Sequence, residues 1–526
     1  VMYKYAAIFT LLAILAMTAC DSGLDGQLNE NIPPTTSLTV NEINLPEGER
    51  LVSQVNISWW GDDPDGYVVG YEFFIGDVTT AGEEEWVYTT SSDSTFILPI
   101  EEGDEDADVE FTVRAIDNEG ARDPEPPTVI FPITNSPPQI EFNNFETPPD
   151  TTYRIASFGF TASDPDGDAN LNRIEIALND TTSEGAWKDI GLGLNLVTIQ
   201  IDDTADPATA SILLGRSAIE SNFNFDTVHL NGENEFFIRS IDNAAAVSET
   251  VSYEWHVKRQ TSNILFLNDY QGSSSGDRFD LHANLLAEVG ISQIDYIDIS
   301  DGTPTGGRRV PFTQALPDRS LASPTTNLML AQWDHIYWIS DNLDRNIGYA
   351  LEMTLDFFDQ GGTMFVNIPS KFVSDQNVLL QFLPFERVEP VPVGESSFII
   401  NSGAEMQASD GTEDAPLLRF RRIRTAEHPI VPFDETVPLY EAPFRVRGGF
   451  PPTTKDYDGS KLISATNPEQ NLIYFGIDFD EFTNEDNSDC QPSSQINEED
   501  ENAPAPCSEV DLLLQQLVID ILGFQQ

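Results

Sequence analysis

Between residues 51 and 258 apolar side chains recur at every second position, in short runs broken by Gly, Pro, Asn and Asp. That period predicts half-buried strands joined by tight turns. Ile57-Ser-Trp-Trp60, Tyr67-Val-Val-Gly-Tyr-Glu-Phe-Phe-Ile75 and Glu110-Phe-Thr-Val-Arg-Ala-Ile-Asp-Asn-Glu-Gly120 form a first set. Phe158-Gly-Phe-Thr-Ala162, Leu171-Asn-Arg-Ile-Glu-Ile-Ala177 and Glu235-Phe-Phe-Ile-Arg-Ser-Ile-Asp-Asn243 form a second, related set, with an insertion around 190–230. Ser136-Pro-Pro138 separates the two copies.

At Asn263 the pattern changes. Continuous apolar runs at Asn263–Asn268, Ile294–Ile299, Asp334–Ser340, Thr363–Asn367 and Asn471–Asp478 read as buried strands. Helical spacing separates them at Arg278–Val289 (closed by Gly290), Asn346–Asp359, Lys371–Phe382 and Val510–Leu522. In the second of these helices Ile347, Leu351, Leu355 and Phe358 line one face. Strands alternating with helices predict a mostly parallel sheet covered on both sides. The expected fold is multidomain: two all-β immunoglobulin-like sandwiches at 41–135 and 136–259, then an α/β domain at 260–526.

The N-terminus has its own grammar. Lys4, an apolar run from Tyr5 to Met17, and Thr18-Ala19-Cys20 follow one another in the order of a secretory signal. The run is shorter than the ~20 residues of a spanning helix. A cysteine directly after small residues resembles the lipobox of bacterial lipoproteins. That resemblance implies cleavage after residue 19, acylation (palmitate or a similar chain) at Cys20, and a cell-envelope address, periplasmic or at the outer membrane or cell surface. Residues 21–40, polar and rich in Gly, Asn, Pro and Thr, are expected to be a tether. Cys490 and Cys507 bracket an acidic, Pro- and Ser-containing stretch and, in an oxidising compartment, are expected to form a disulfide.

Charge narrows the partners. Lys and Arg number 26 against 88 Asp and Glu, a formal net charge of -62. Such a surface repels nucleic acid and anionic lipid, so the membrane is expected to be reached through the lipid alone. It suits high salt, where screening shortens, and matches the surfaces of halophilic proteins. The 40% hydrophobic content is still ample for packed cores.

The two β copies, over roughly 38–258, resemble fibronectin type III and related immunoglobulin-like modules, most specifically in Phe-x-Val-Arg-Ala-x-Asp-Asn. Phe111 and Phe236 stand where that family often has a corner tyrosine. The resemblance places the loops Gly61–Gly66 and Asp117–Ala121, and likewise Asp164–Asn170 and Asp242–Ala244, at one pole of each module. Carboxylates gather there: Asp63, Asp65 and Asp117 in the first copy, Asp164, Asp166, Asp168 and Asp242 in the second. Oxygen ligands in this pattern suit Ca²⁺ facing the Pro137-Pro138 joint, and equally the repeated Pro-Asp-Gly is simply a turn.

Residues 262–526 resemble the class I glutamine amidotransferase-like superfamily, nearest its trehalose-utilisation-type branch. The resemblance rests on Phe357-Phe-Asp-Gln-Gly-Gly362, Met364-Phe-Val, Glu427-His-Pro-Ile430 and Leu439-Tyr440. The family's nucleophilic cysteine would sit on the elbow Asn367-Ile-Pro-Ser370, where there is none. Ser370 stands there either as a substitute nucleophile with His428 as base or as the cap of the following helix. No His-Glu-x-x-His or phosphate-binding loop is present. Gly302, Gly306, Gly307, Arg308 and Arg309 form either an anion contact or a surface loop.

In open α/β sheets, ligands bind beyond the carboxyl ends of the strands. That points to Asp269, Tyr270, Asp341, Asn342 and Asn367, with Asn268, Ser300, Asp301 and Ser340 beside them. The expected function is a lipid-anchored protein displaying a non-catalytic head for a carbohydrate or protein ligand. A hydrolase acting through Ser370 and His428 is the rival.

Overall fold

The computed structural model describes residues 30–40, 49–226, 228–270, 275–299, 316–317, 319–343, 346–372, 382–411, 415–449, 452–483, 490–491 and 505–525. Cys20, the Gly302–Arg309 cluster, Ser300, Asp301 and most of the helix expected over Lys371–Phe382 lie outside them. The chain divides into two compact units. One is Val1–Pro137 with the loops Asp164–Asn170 and Asp242–Ala246, and the other is Pro138–Ser163, Leu171–Ile241 and Val247–Gln526.

The first sandwich begins earlier than the sequence suggests. Thr35–Val40, expected in the tether, is a strand paired antiparallel with Gln54–Asp62 from Thr35↔Asp62 to Val40↔Ile57. These two strands and Asp93–Ile97 make a three-stranded sheet. The facing sheet runs Leu51–Val52, Thr128–Thr134, Asp106–Asp117, Val68–Ile75, Val87–Thr89. Alternation in Gln54–Asp62 sends Val55, Ile57 and Trp59 inward, where they meet Phe111, Val113 and Phe131.

The second sandwich has two five-stranded sheets. The insertion around 190–230 supplies Leu196–Asp202, Thr209–Leu214 and Ile219–Phe225, which extend one of them as successive antiparallel neighbours. Phe158 stacks on Phe236 at 4.3 Å and meets Trp255 edge-on at 5.2 Å. Phe111 and Phe236 are fully buried core residues, so no corner-tyrosine hydrogen bond forms at either position.

The outer faces of the two copies share a Glu–Arg–Trp contact. In the first, Glu72 takes Arg114 at 2.8 Å and Arg122 at 2.9 Å, and the Arg114 guanidinium lies 3.9 Å from the Trp86 ring centre. In the second, Glu175 takes Arg173 at 3.0 Å and Arg239 at 2.6 Å, and Arg239 lies 4.0 Å from Trp187. The Arg122 and Arg114 pairs hold the Glu72 carboxyl below its usual range.

From Ile264 on, an eight-stranded mixed sheet forms. Its order is Asp295–Asp298, Ile264–Asp269, His335–Ser340, Thr363–Asn367, Leu472–Phe475, Leu462–Thr466, Val437–Glu441, Gln407–Ala408. The first five are parallel and the last three antiparallel. The parallel strands are buried on both faces: Leu265, Leu267, Trp338 and Val366 enter one core, Ile264, Phe266, Tyr337 and Phe365 the other. The helix Ser275–Glu288 covers the second face, and Gly290, at φ +93°, turns the chain out of it. Cys490 and Cys507 are disulfide-bonded.

The helix expected over Asn346–Asp359 is broken. It runs as Asn346–Tyr349, Ala350–Met353 and Leu355–Asp359, with a kink at Thr354. The Thr354 hydroxyl donates to the Ala350 carbonyl at 2.7 Å, and the Leu355 N–H donates to Asn327 Oδ1 at 3.0 Å. Side-chain partners thus replace the helix ladder. The kink shifts the phase: Ile347, Ala350, Met353 and Phe357 are buried, while Leu351 and Leu355 face solvent.

The second sandwich and the eight-stranded sheet share a core, because Tyr153 and Ile155 pack among Leu265, Trp333, Ile336 and Trp338. The Tyr153 ring meets Trp333 edge-on at 5.1 Å. Its hydroxyl accepts the Tyr296 N–H at 3.0 Å and donates to the Tyr296 carbonyl at 3.2 Å. Thr325 donates to Ser157 at 2.7 Å, and Asp295 accepts Trp333 Nε1 at 3.0 Å and the Thr261 hydroxyl at 2.8 Å.

Candidate functional site

The carboxyl ends of the parallel strands gather Asn268, Asp269 and Tyr270, then Ser340, then Asn367, then the segment after Phe475. Asp269 is buried and accepts Ser340 Oγ at 3.0 Å and Asn346 Nδ2 at 2.8 Å. The buried Tyr270 hydroxyl donates to Asp478. Arg278, on the helix over that face, lies 5.5 Å from the Tyr270 ring centre and donates to Asp480 at 2.6 Å. Burial pushes the Asp478 carboxyl up to about 6 against the pull of Tyr270 and Arg278. Burial, then the nearby Asp478 charge, lifts the Tyr270 hydroxyl far above its ordinary value. Tyr270 therefore stays protonated and donates, while Asp478 is mostly ionised above about pH 6 and accepts.

Asn367 is fully buried. Its Nδ2 donates to the carbonyls of Phe475 at 3.0 Å and Ile477 at 2.8 Å, which fixes its rotamer and leaves Oδ1 buried with no partner. Ser370 is likewise buried; its N–H donates to the Gly476 carbonyl at 2.9 Å and its Oγ has no partner. A side chain at position 476 would meet Ser370 Oγ at 3.1 Å and the Ile463 carbonyl at 2.9 Å, so that position requires glycine. Asp480 Oδ1 is a third buried acceptor without a partner. Unsatisfied buried polar atoms cost stability, and a group of them at a strand-end site calls for an explanation.

The Ser370–His428 pair does not form as a nucleophile and base. The two residues touch through their backbones, with the His428 N–H donating to the Ser370 carbonyl at 2.8 Å. His428 Nδ1, however, bonds the Glu389 carbonyl at 2.7 Å, and its ring sits edge-on to Phe398 at 5.0 Å. Glu427, beside it, is buried against Arg424. The helix that Ser370 was expected to cap lies mostly outside the described residues.

Of the residues expected to bind a ligand, Asp269, Tyr270 and Asn367 come together with Asp478, while Asp341 and Asn342 belong to the turn after Ser340. There the Asn342 N–H donates to Ser340 Oγ at 3.4 Å and the Asp341 carbonyl accepts Lys371 Nζ at 3.1 Å. The reading of the sequence missed Arg278, Asn346, Lys371, Asp478 and Asp480. Asp478 was within reach, since it closes a strand already recognised.

The acidic loops hold the chain that enters each module. Asn31 Nδ2 donates to Asp117 at 2.6 Å and the Ile32 N–H to Asp65 at 3.2 Å. Asn135 Nδ2 donates to Asp242 at 2.6 Å and the Ser136 N–H to Asp166 at 2.6 Å. An Asn-x-Pro-Pro segment, Asn31–Pro34 and Asn135–Pro138, is thus clasped by equivalent carboxylates in both copies. Asp166 also takes the Ser53 N–H at 2.8 Å, Asp164 takes the Asp166 N–H at 2.8 Å, Asp168 takes the Asp164 N–H at 3.1 Å, and Asp63 takes the Asp65 N–H at 3.4 Å. These oxygens accept N–H groups; among the described residues no three His, Cys, Asp or Glu converge on one point. The repeated Pro-Asp-Gly acts as a turn that aims an acceptor at the entering chain.

Comparison with known proteins gives structural neighbours only. No family model and no curated protein matches the chain. It is similar to the fibronectin(III)-like modules of Clostridium thermocellum CbhA, at 16% identity over 42% of this chain and 95% of that one, TM-score 0.15. It is similar to the PKD1 domain of Vibrio anguillarum Epp, at 13% identity over 20% and 98%, TM-score 0.14. It is similar also to carbohydrate-binding modules of the β-sandwich superfamily, at 13% identity over 40% and 59%, TM-score 0.15. With TM-scores this low, the sandwich assignment rests on the strand orders and registers above.

Proposed function

We propose that this chain is a lipid-anchored cell-envelope protein that displays a non-catalytic binding head, the eight-stranded domain, on its β-sandwich modules. The observation that carries the reading is the set of buried, partnerless polar atoms at the strand ends: Asn367 Oδ1, Ser370 Oγ and Asp480 Oδ1. Two of the three can only accept hydrogen bonds, so the ligand is one rich in donors, which favours a polyhydroxylated carbohydrate. The amidotransferase-like ancestry of the head belongs to the same proposal; five parallel strands with a helix-covered face are compatible with it. The hydrolase alternative draws on the backbone proximity of Ser370 and His428, and is weakened by Ser370 Oγ, which has no hydrogen-bond partner.

Ser370→Ala separates the two. The substitution removes an oxygen with no protein partner and keeps the Cβ, so the fold is expected to hold. Calorimetric titration with chito-, cello- and malto-oligosaccharides should show saturable binding of one class, weakened about tenfold in the variant, a loss of about 1.4 kcal/mol. Chromatography of the same mixtures should show intact sugars. Cleavage products that disappear in Ser370→Ala and His428→Gln would sink the non-catalytic reading in favour of the hydrolase. The anchor is tested by labelled palmitate, which should be incorporated by the wild type and not by Cys20→Ser.

A further inference from the structure

A second cavity lies within the larger unit, where the second sandwich meets the eight-stranded sheet, well apart in composition from the strand-end cluster. It encloses about 390 Å³, in the size range of small-molecule sites. Its walls are mostly apolar: Pro148, Ile155, Ile297 and Met329 are all buried, and the rings of Tyr153 and Tyr296 complete it.

Apart from the exposed Asp150 and Thr151, the polar groups of the wall are already engaged, with one exception. The Tyr153 hydroxyl is bonded both ways to the Tyr296 backbone. Ser157 Oγ bonds Thr198 at 2.6 Å and accepts from Thr325. Thr152 Oγ1 accepts Trp255 Nε1 at 3.2 Å. The exception is Lys258. Its ammonium lies 5.0 Å from the Tyr153 ring centre and 3.4 Å from the Tyr153 oxygen, and it pairs with no described carboxylate. An ammonium carries three donors and no acceptor, so at least two remain for something in the cavity. In a chain with 26 cations and 88 acids, a half-buried lysine facing an apolar cavity instead of a carboxylate is the more telling. Asp150, exposed at the rim, repels a second negative charge.

We propose that this cavity binds a small amphiphilic monocarboxylate, its head on Lys258 and its apolar body between Ile155, Ile297, Met329 and the tyrosine rings. The site is independent of the strand-end reading and survives its failure.

The test uses the chain with only its first twenty residues removed, titrated calorimetrically in high salt with octanoate, 1-octanol and octylammonium. Octanoate is expected to saturate one site, octanol to bind at least tenfold more weakly, and octylammonium not to bind. Lys258→Met, which keeps an apolar stem on the Tyr153 ring, should erase the preference for octanoate over octanol, and Lys258→Arg should retain it. Thr151→Trp, at an exposed lining position, should block both probes. An unchanged urea midpoint in each variant shows that the fold is intact. Equal binding of octanoate and octanol by the wild type, a preference that persists in Lys258→Met, or no saturable binding of octanoate overturns the proposal.

Discussion

In the first sandwich Trp59, Phe111 and Phe131 close a core drawn from that module alone. In the second, Phe158, Phe236 and Trp255 build an equivalent core, but Tyr153 and Ile155 leave it and enter the core of the eight-stranded sheet. The outer-face ladder of Glu, Arg and Trp is the same in both, and so is the carboxylate clasp on Asn-x-Pro-Pro. The modules therefore differ in how their edges are used. One folds around its own residues; the other has become a wall of the next domain. A duplicated module keeps the contacts that define it and changes those at the end where the chain continues.

Cutting the shared core should have the largest effect. Tyr153→Ala should cost about 4 kcal/mol, as for other buried aromatic truncations, and should lower the unfolding of the second sandwich and the sheet together. Phe111→Ala should cost a similar amount but shift only the first sandwich's transition. Urea unfolding followed by tryptophan fluorescence reads both. If Tyr153→Ala left the eight-stranded domain at its wild-type midpoint, the two modules would be alike after all.

An intermediate effect tests the clasp. Asp166 is fully buried and holds two backbone amides, so Asp166→Ala should cost about 2 kcal/mol by leaving both without an acceptor. Its counterpart Asp65 is exposed and holds one amide, at 3.2 Å. Asp65→Ala should stay within about 0.5 kcal/mol. Equal losses would mean that the second clasp gains nothing from its burial.

The smallest effect is in the pH dependence. Asp164 is pushed up to about 6 by burial and by the charges of Asp166 and Asp242, and Asp478 to about 6 by burial. Both exceed the unfolded value of roughly 3.9, so the native state binds these protons more tightly. The stability they contribute is present in acid and is lost as pH rises through 6. Glu72, Glu146 and Glu175 are lowered, and their contribution fails only as pH falls below about 4.5. Thermal midpoints should therefore be highest near pH 4 to 4.5, fall by a few degrees between there and about pH 6, and level off above it. Asp164→Asn with Asp478→Asn should flatten that fall, and a midpoint still falling in the double variant would rule out these two groups as its source.

Much of the fold was legible because alternation is a local signal. Val55, Ile57 and Trp59 announce an inward face, and Ile264–Leu267 a strand buried on both sides. The antiparallel half of the large sheet was not legible: Leu462–Thr466 and Val437–Glu441 are set by pairing with Leu472–Phe475 and with each other, and neither is periodic enough to stand out. The kink at Thr354 depends on Asn327, twenty-seven residues away, which no local pattern reports. At the strand ends, topology located Asp269, Tyr270 and Asn367. Of their partners, Asp478 closes a strand the sequence shows, whereas Arg278 and Asp480 arrive from a helix and a following turn and were invisible until the chain was folded.

Tyr153 has a further consequence. Asp295–Asp298 is the outermost strand of its sheet, and a strand in that position offers bare N–H and C=O groups to any other chain. The Tyr153 hydroxyl answers both groups of Tyr296 from another module. A head produced without residues 138–259 would present that edge unguarded and would be prone to edge-to-edge polymerisation. The second sandwich thus also serves as a built-in guard against self-association, something the first sandwich has no occasion to provide.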